Sequence, residues 1–305
     1  MTHYAHNGRI RIAFDDLGGR GGDPLLLVMG LGTSRFWWPD GFVGELLRRG
    51  FHVVAYDQRD AGQSTHLPTR PAGSPVGALL RHAAPAYDAE DLTDDAVAVM
   101  DAVGWDRAHV FGHSMGGLVA QRTAVRHPHR VLTLTTSSAV PSDAASGLSV
   151  LRYVRPATVV RLARLRHPRT SEGNLALALD IARILAAPGQ HMSERDVRDV
   201  RDFVAKETAH HVVGFRDQQA QSRQIGTRWH GGPLARITAP TLVLHGEQDP
   251  LLRVTAARDI AAAVPGARLT TMPGLGHFLA RDVWAVYATE VRALAAGDGS
   301  RRVVG

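Results

Sequence analysis

Short apolar runs that alternate with helical patterns constrain the fold of this 305-residue chain more than any other feature. Continuous apolar strands are typical of parallel sheets that are buried on both faces. Strands that alternate with helices favour parallel pairing, because each helix carries the chain back across the sheet. We therefore predict an α/β protein with a mostly parallel central sheet covered by helices on both faces. The strand-like runs are 25–29, 51–56, 108–111, 131–136, 241–245 and 268–272.

The remaining core segments fit the same architecture. Ile10, Ile12 and Phe14 alternate with less apolar residues and predict an early strand. Residues 57–85, which are rich in proline and glycine, predict a long loop. Apolar residues at helical spacing predict helices over 42–49, 89–103, 115–126, 254–263 and 283–295.

The alternation is interrupted once, by a long segment without strand patterns. We predict that residues 141–233 form a helical cap inserted into a core made of residues 1–140 and 234–305. The helices predicted within this cap are 148–165, 175–185, 193–208 and 212–224. Six arginines interleave with apolar residues between Arg152 and Arg169, which predicts a solvated helix face. An anionic-substrate gate, a membrane-surface helix and a nucleic-acid contact are the open alternatives for this stretch.

Composition excludes several classes of chemistry. The chain has no cysteine, so thiol nucleophiles, zinc–thiolate sites and cysteine-bound iron–sulfur clusters are ruled out. A net charge of +6 is ordinary for a surface of this size and does not require nucleic acid as a partner. The first residues lack the apolar core of a secretion signal, and no apolar run approaches the roughly 18 residues of a membrane span. We therefore expect a cytoplasmic protein with no membrane partner.

The strongest chemical signal is the sequence GHSMGG, which follows the predicted strand 108–111 and precedes the predicted helix 115–126. A G-x-S-x-G pattern in this context predicts a nucleophile elbow, a sharp turn that presents a serine at the carboxyl edge of the sheet. Gly112 and Gly116 leave room for the turn, and the start of the helix supplies free N–H groups beside it. Ser114 is therefore the candidate nucleophile.

A serine nucleophile needs a base and an acid, which follow it in the chain order Ser, Asp or Glu, His. His277 lies in the loop PGLGH directly after the strand 268–272, at the sheet edge predicted for Ser114. Asp249 follows the strand 241–245 and is the candidate acid that orients the imidazole. Glu247 and Asp143 remain alternative acids.

An acyl-transfer site also needs two preorganised donors for the oxyanion. We expect the N–H of Met115, directly after the serine, and the N–H of Leu31, in the loop after the strand 25–29. Gly30 lets that backbone turn toward the site. The residues predicted to line the substrate pocket are Gly30, Phe36, Trp37 and His113.

These motifs resemble those of the α/β-hydrolase family along essentially the whole chain. Within the family, residues 28–39 (VMGLGTSRFWWP) and 56–65 (YDQRDAGQST) resemble aclacinomycin methylesterase-like esterases. The resemblance implies a Ser114–His277–Asp249 triad, an oxyanion hole at Leu31 and Met115, and a helical cap inserted after strand 6. The chain departs from the family pattern at Met29, where many members have histidine, and at Asp60, where many have glycine.

The sequence thus predicts a hydrolase of carboxylesterase or methylesterase type that acts through an acyl-enzyme on a small hydrophobic or polyketide-like ester. No cofactor or metal is required, and the partner is a small-molecule ester. A serine at the elbow counts against dehalogenases and epoxide hydrolases, which use a carboxylate there. The alternatives are the same triad acting on an amide or C–C bond or in a cyclisation, and a non-catalytic ligand-binding protein. Oligomeric state is not indicated.

Overall fold

A computed structural model of the chain describes residues 1–67, 87–144, 147–210 and 229–297. Its strands are β1 (His3–Asn7), β2 (Ile10–Gly18), β3 (Asp23–Val28), β4 (Phe51–Tyr56), β5 (Ala108–His113), β6 (Val131–Ser137), β7 (Thr241–Gly246) and β8 (Arg268–Met272). They form one sheet in the order β1-β2-β4-β3-β5-β6-β7-β8. Strand β2 pairs antiparallel with β1 and β4, and all other pairs are parallel. The predicted mostly parallel sheet is confirmed.

The chain forms eight α-helices in the ranges that the structure describes. They are α1 (Asp40–Arg48), α2 (Ala89–Val103), α3 (Met115–Arg126), α4 (Pro156–Arg164), α5 (Ser171–Leu185), α6 (Glu194–Ala209), α7 (Thr255–Ala263) and α8 (Trp284–Ala295). Buried residues of α2, α3 and α7 belong to one apolar cluster, and those of α1 and α8 belong to another. The α/β class with helices on both faces is therefore confirmed. None of the helices in the described ranges is both long and apolar enough to cross a membrane.

Strand β3 shows why the central runs are apolar throughout. Leu26 and Val28 belong to the first cluster, whereas Leu25 and Leu27 belong to the second. Successive side chains of a strand point to opposite faces, and here both faces are covered, so each of the four side chains is buried.

The edge strand β1 was not predicted. Its sequence HYAHN contains a single buried residue, Ala5, so it lacks an apolar pattern. Gly8 adopts a φ of 58° in the turn to β2, and the two strands pair from His3↔Phe14 to Asn7↔Ile10. Edge strands need little buried surface, which explains the missing signal.

The segment between β6 and β7 carries α4, α5 and α6. The single helix predicted over 148–165 is wrong: a 3-10 helix at Gly147–Arg152 is followed by a separate α4 that begins at Pro156. Proline lacks an N–H, so it starts a helix readily and disrupts a helix interior. The helix predicted over 212–224 lies outside the described residues. The division into core 1–140, cap 141–233 and core 234–305 stays a prediction.

Candidate active site

Ser114 lies on the turn between β5 and α3 with a φ of 54°, a left-handed conformation that is unusual for serine. The neighbouring glycines make this turn possible. A Cβ on Gly116 would lie 1.9 Å from the Val28 carbonyl oxygen, and a Cβ on Gly112 would lie 2.2 Å from the Gly116 carbonyl oxygen. The sharp turn therefore requires glycine at both positions, as the motif indicates.

His277 and Asp249 lie beside this serine. The Nε2 atom of His277 is 3.0 Å from Ser114 Oγ, and its Nδ1 atom is 2.7 Å from Asp249 Oδ2. If Nδ1–H donates to the carboxylate, Nε2 is left unprotonated and can accept the serine hydroxyl proton. Asp249 is 1% exposed and His277 is 4% exposed, so water has little access to either group. The structure thus brings together the three side chains that the motifs singled out.

The loops that carry Asp249 and His277 are joined to each other. Gln248 donates its N–H to the Leu275 carbonyl over 3.0 Å. Gly246 ends β7 where a Cβ would lie 2.4 Å from the Gly276 and Leu275 carbonyl oxygens. This close crossing fixes the separation between the acid and the base.

Asp249 is held as a carboxylate. Its Oδ1 atom accepts the N–H groups of Leu251 and Leu252 at 2.7 and 2.8 Å. Burial acts to raise the pKa of Asp249, but the charge and hydrogen bond of His277, with the backbone donors, bring that pKa below its ordinary value. The alternative acids lie elsewhere: Glu247 accepts the Thr271 hydroxyl on the surface, and Asp143 accepts the Leu234 N–H.

Two further histidines are packed around this cluster. His113 lies 5.3 Å from His277 between ring centroids, and its Nδ1 is 3.2 Å from Ser137 Oγ. Burial, aided by His277, lowers the pKa of His113 to about 3. His245 is fully buried at the end of β7, 3.8 Å from Asp249 Oδ2, and burial lowers its pKa as well. Sequence reasoning did not single out His245, since sixteen histidines made each one a weak signal.

The two predicted oxyanion donors belong to segments that adjoin Ser114. Met115 is the first residue of α3, where backbone N–H groups have no acceptor within the helix. The loop of Leu31 passes close to the serine, because a Cβ on Gly30 would lie 3.2 Å from Ser114 Cβ and 3.7 Å from its Oγ. The assignment of these N–H groups to an oxyanion hole stays a prediction.

Residues 30–38, which we call the oxyanion loop, are fixed to the core by side chains. Gln58 donates to the Met29 carbonyl at 2.6 Å, just before the loop. Arg35 is 3% exposed and forms ion pairs with Asp57 and Asp15, and its own N–H donates to Asp57 at 2.6 Å. The Thr33 hydroxyl bonds the Gly30 carbonyl at 2.8 Å. These contacts attach one side of the loop to the core.

The aromatic residues predicted to line the pocket contact the segment between β6 and β7. Trp37 is 7% exposed, packs 5.3 Å from the Phe203 ring and donates its Nε1–H to Glu207 at 2.9 Å. Phe36 lies 4.5 Å from the His210 ring. A pocket role for Gly30, Phe36, Trp37 and His113 stays a prediction.

The same inserted segment also contacts the loops of the acid and the base. Leu185, at the end of α5, accepts the N–H groups of His277 and Phe278 at 2.8 and 3.1 Å. Arg155, just before α4, donates its N–H to Leu251 at 2.9 Å and its Nε–H to the Asp249 carbonyl at 3.1 Å. Three of the arginines in the basic stretch thus have defined partners, since Arg152 pairs with Asp259 and Arg166 donates to the Ala163 and Leu165 carbonyls. Among residues that the structure describes, no cluster of three or more His, Asp or Glu could hold a metal ion.

A serine on the sharp turn after a central strand of a mostly parallel sheet is the arrangement of an α/β hydrolase. The comparisons with known proteins agree. A family model described as the alpha/beta hydrolase fold matches residues 23–281, and the chain belongs to this family. The resemblance noted in the sequence is thereby confirmed.

Individual members of the family are similar to this chain over most of its length. The chain is 29% identical over 295 residues to rhodomycin D methylesterase DnrP of Streptomyces peucetius, with 91% of this chain and 92% of the relative covered. It is 30% identical over 262 residues to a Variovorax paradoxus (strain S110) protein with the provisional name carbamate hydrolase RutD, with 84% and 85% covered. The crystal structure of the enol-lactonase from Burkholderia xenovorans LB400 has a TM-score of 0.67 at 22% identity, with 96% and 100% covered. The enol-lactonase structure supports the fold, and the two sequence relatives support a hydrolase that acts on small molecules.

Proposed function

We propose that this hydrolase is a serine esterase that cleaves a carboxylic ester through an acyl-enzyme intermediate. The observation that carries the proposal is the continuous hydrogen-bonded chain from Asp249 through His277 to Ser114, with links of 2.7 and 3.0 Å. A serine hydroxyl becomes nucleophilic only when an adjacent base accepts its proton, and this chain supplies that base and orients it.

The first half of the reaction forms the acyl-enzyme. Ser114 Oγ attacks the ester carbonyl carbon while His277 Nε2 takes the hydroxyl proton. The carbonyl oxygen becomes an oxyanion, which the N–H groups of Leu31 and Met115 stabilise. Asp249 stabilises the imidazolium that forms. When the tetrahedral intermediate collapses, the ester C–O bond breaks and His277 gives its proton to the departing alkoxide.

The second half returns the enzyme to its starting state. His277 removes a proton from a water molecule, and the resulting hydroxide attacks the acyl carbon. The bond to Ser114 Oγ breaks, the serine recovers its proton from His277, and the carboxylic acid leaves. Asp249, whose pKa lies below its ordinary value, remains a carboxylate throughout.

The substrate class follows from the relatives rather than from the triad, which could attack several kinds of carbonyl group. The name of the Streptomyces peucetius relative supports a methyl or other small alkyl ester of a hydrophobic or polyketide-like acid. The name of the Variovorax paradoxus relative favours a second candidate, a carbamate, whose carbonyl the same serine would attack.

Replacement of the nucleophile tests the mechanism. Ser114→Ala should lower ester turnover by at least about 1,000-fold, because triad residues act as a unit. Ser171→Ala, at the exposed start of α5, is the matched control and should leave turnover unchanged. Kinetics on a panel of methyl esters, aryl carbamates, amides and β-diketones provide the measurement. Undiminished turnover in Ser114→Ala would reject the mechanism.

A labelling experiment separates an enzyme from a ligand-binding protein on the same fold. A fluorophosphonate should label the wild-type chain once, at Ser114, and should not label Ser114→Ala. A wild-type chain that resists labelling would instead support a non-catalytic receptor. Faster cleavage of carbamates than of esters across the panel would replace the ester assignment with the second candidate.

A further inference from the structure

Helix α6 presents an unusual residue on its buried face. Val200, Phe203 and Val204 are buried at helical spacing, and Glu207 occupies the next position of the same stripe. Glu207 is 6% exposed. Burying a carboxyl group costs free energy unless its oxygens find hydrogen-bond donors, so the contacts of this side chain indicate why it is there.

The donors to Glu207 come from the oxyanion loop. The Ser34 hydroxyl donates to Glu207 Oε1 at 2.7 Å, and Trp37 Nε1–H donates to the same oxygen at 2.9 Å. Burial raises the pKa of Glu207 to about 7, although both donors act to lower it. The accepting oxygen keeps its lone pairs in either protonation state, so the two hydrogen bonds do not depend on ionisation.

The surrounding contacts make this junction a defined interface. The rings of Phe203 and Trp37 lie 5.3 Å apart, and those of His210 and Phe36 lie 4.5 Å apart. The last turns of α6 therefore cover residues 34–37. Arg35 attaches residues 34–37 to the core through Asp57. Glu207 attaches the same residues to the inserted segment.

We propose that Glu207 is a positioning residue, which holds the oxyanion loop through Ser34 and Trp37 so that the Leu31 N–H faces the developing oxyanion at Ser114. This role rests on the proposed function. Leu31 lies three residues before Ser34, in a loop that approaches Ser114 at Gly30. The contact of Ser34 with Glu207 therefore bears on the position of the Leu31 N–H. A displacement of about 1 Å at a reacting centre can cost on the order of 100-fold in rate.

Three variants test the role. Glu207→Ala removes the acceptor and should lower kcat for an activated aryl ester by about 10- to 100-fold, with little change in KM. Glu207→Gln keeps an amide oxygen that can accept both donors and should restore most of kcat. Asp202→Asn, on the exposed face of the same helix, is the matched control and should behave as the wild type.

An oxyanion readout separates positioning from a loss of folded protein. Ser114 Oγ adds to the carbonyl of a trifluoromethyl ketone, and the adduct carries an oxyanion in the same site. The Ki of this inhibitor should therefore rise in Glu207→Ala by a factor similar to the fall in kcat. Rates are divided by the concentration of reactive Ser114, which is counted by fluorophosphonate labelling of a parallel sample. If Glu207→Ala does not fold, Ser34→Ala combined with Trp37→Phe removes the two side-chain donors instead and should change kcat and Ki in the same directions.

The possible outcomes distinguish the two proposals. If the wild type labels and turns over ester while Glu207→Ala keeps its kcat and Ki per labelled site, the positioning role is overturned and the esterase is retained. A reduced kcat with an unchanged Ki also overturns the role. A wild-type chain that neither labels nor hydrolyses esters overturns the proposed function, and the role of Glu207 with it.

Discussion

Burial sets the protonation state of several individual side chains in this protein. It lowers the pKa values of His113 and His245, which flank the Asp249–His277 pair, so both remain neutral at pH 7. In the proposed mechanism this neutrality matters, because a second cation beside Asp249 would compete with the imidazolium of His277. In that mechanism, the two neutral histidines leave the charge interaction between Asp249 and His277 undisturbed.

A histidine far from the site allows the energetic consequence to be measured. Burial lowers the pKa of His109 in β5 to about 4, from an ordinary value of 6.5, so the folded chain binds this proton less well than the unfolded chain. Its contribution to stability is complete above pH 6.5 and is lost as the pH falls toward 4. At pH 4.5 the loss amounts to roughly 2–3 kcal/mol. His109→Gln should therefore lose less stability between pH 8 and pH 4.5 than the wild type, as measured by urea unfolding.

The control for this measurement is an exposed histidine. His6, in the edge strand β1, is exposed, and His6→Gln is the matched substitution with which the His109→Gln result is compared. Equal losses of stability in the wild type and in His109→Gln would contradict the assigned protonation of His109.

The positions of some site residues could be predicted from the sequence, and those of others could not. Ser114, Asp249 and His277 each follow a strand, and the carboxyl ends of parallel strands meet at one edge of a sheet, so their proximity was predictable. Glu207 left a local signal, a charge at the next position of an apolar stripe. Its partners Ser34 and Trp37 are 173 and 170 residues away, and nothing local specifies that contact.

At the scale of elements, the loop that carries His277 depends on the end of α5. A Cβ on Gly276 would lie 2.4 Å from the Ala187 nitrogen and 2.6 Å from the Leu185 oxygen. Gly276→Ala should push the loop from α5, weaken the hydrogen bonds of His277 and Phe278 to Leu185, and move the imidazole. We expect kcat for an activated ester to fall by at least about tenfold, as measured per labelled Ser114.

A glycine in an unconstrained place is the control for this substitution. A Cβ on Gly44 in α1 would meet only the flexible end of Arg48, at 3.3 Å. Gly44→Ala should leave kcat unchanged and raise stability by up to about 1 kcal/mol, since alanine favours helix. Wild-type kcat in Gly276→Ala would show that the contact with α5 does not position His277.

Element boundaries show where sequence patterns were sufficient. The pattern gave α2 and β8 their observed bounds, because both have clear periodicity or flanking turns. It missed β1, whose stability comes from pairing with β2 rather than from an apolar face. It merged the 3-10 helix at Gly147–Arg152 with α4, because apolar spacing continued past Pro156, the residue at which α4 begins.

At the scale of the whole molecule, the segment between β6 and β7 is bonded to all three loops of the candidate site. Arg155 bonds the loop of Asp249, Leu185 bonds the loop of His277, and Glu207 bonds the oxyanion loop. Such a segment is expected to move with the core rather than to open as a hinged lid. We predict slow amide hydrogen exchange at Arg155, Arg253 and His277, comparable to that of the central strands.

The measurement is native-state hydrogen exchange, read at single residues. The Arg155 and Arg253 N–H groups donate to Leu251 and Tyr153 at 2.9 and 2.8 Å, which joins the segment to the core in both directions. Exchange at these amides that is orders of magnitude faster than in β3 or β5 would indicate that the segment detaches as a unit. The same experiment on Glu207→Ala would report whether the attachment at α6 is independent of the other two.

The three attachments bear on attempts to engineer a new specificity by grafting. In a chimera that received the inserted helices of a related hydrolase, the contact residues of the insert would fit the loops of the donor protein and not those of this chain. In this chain the attachments are made by the Leu185 carbonyl, the Arg155 side chain and the Glu207 carboxyl. The foreign insert would need an equivalent group at each of these three places. Exchange of the insert should therefore succeed when the three contacting loops are exchanged together with it.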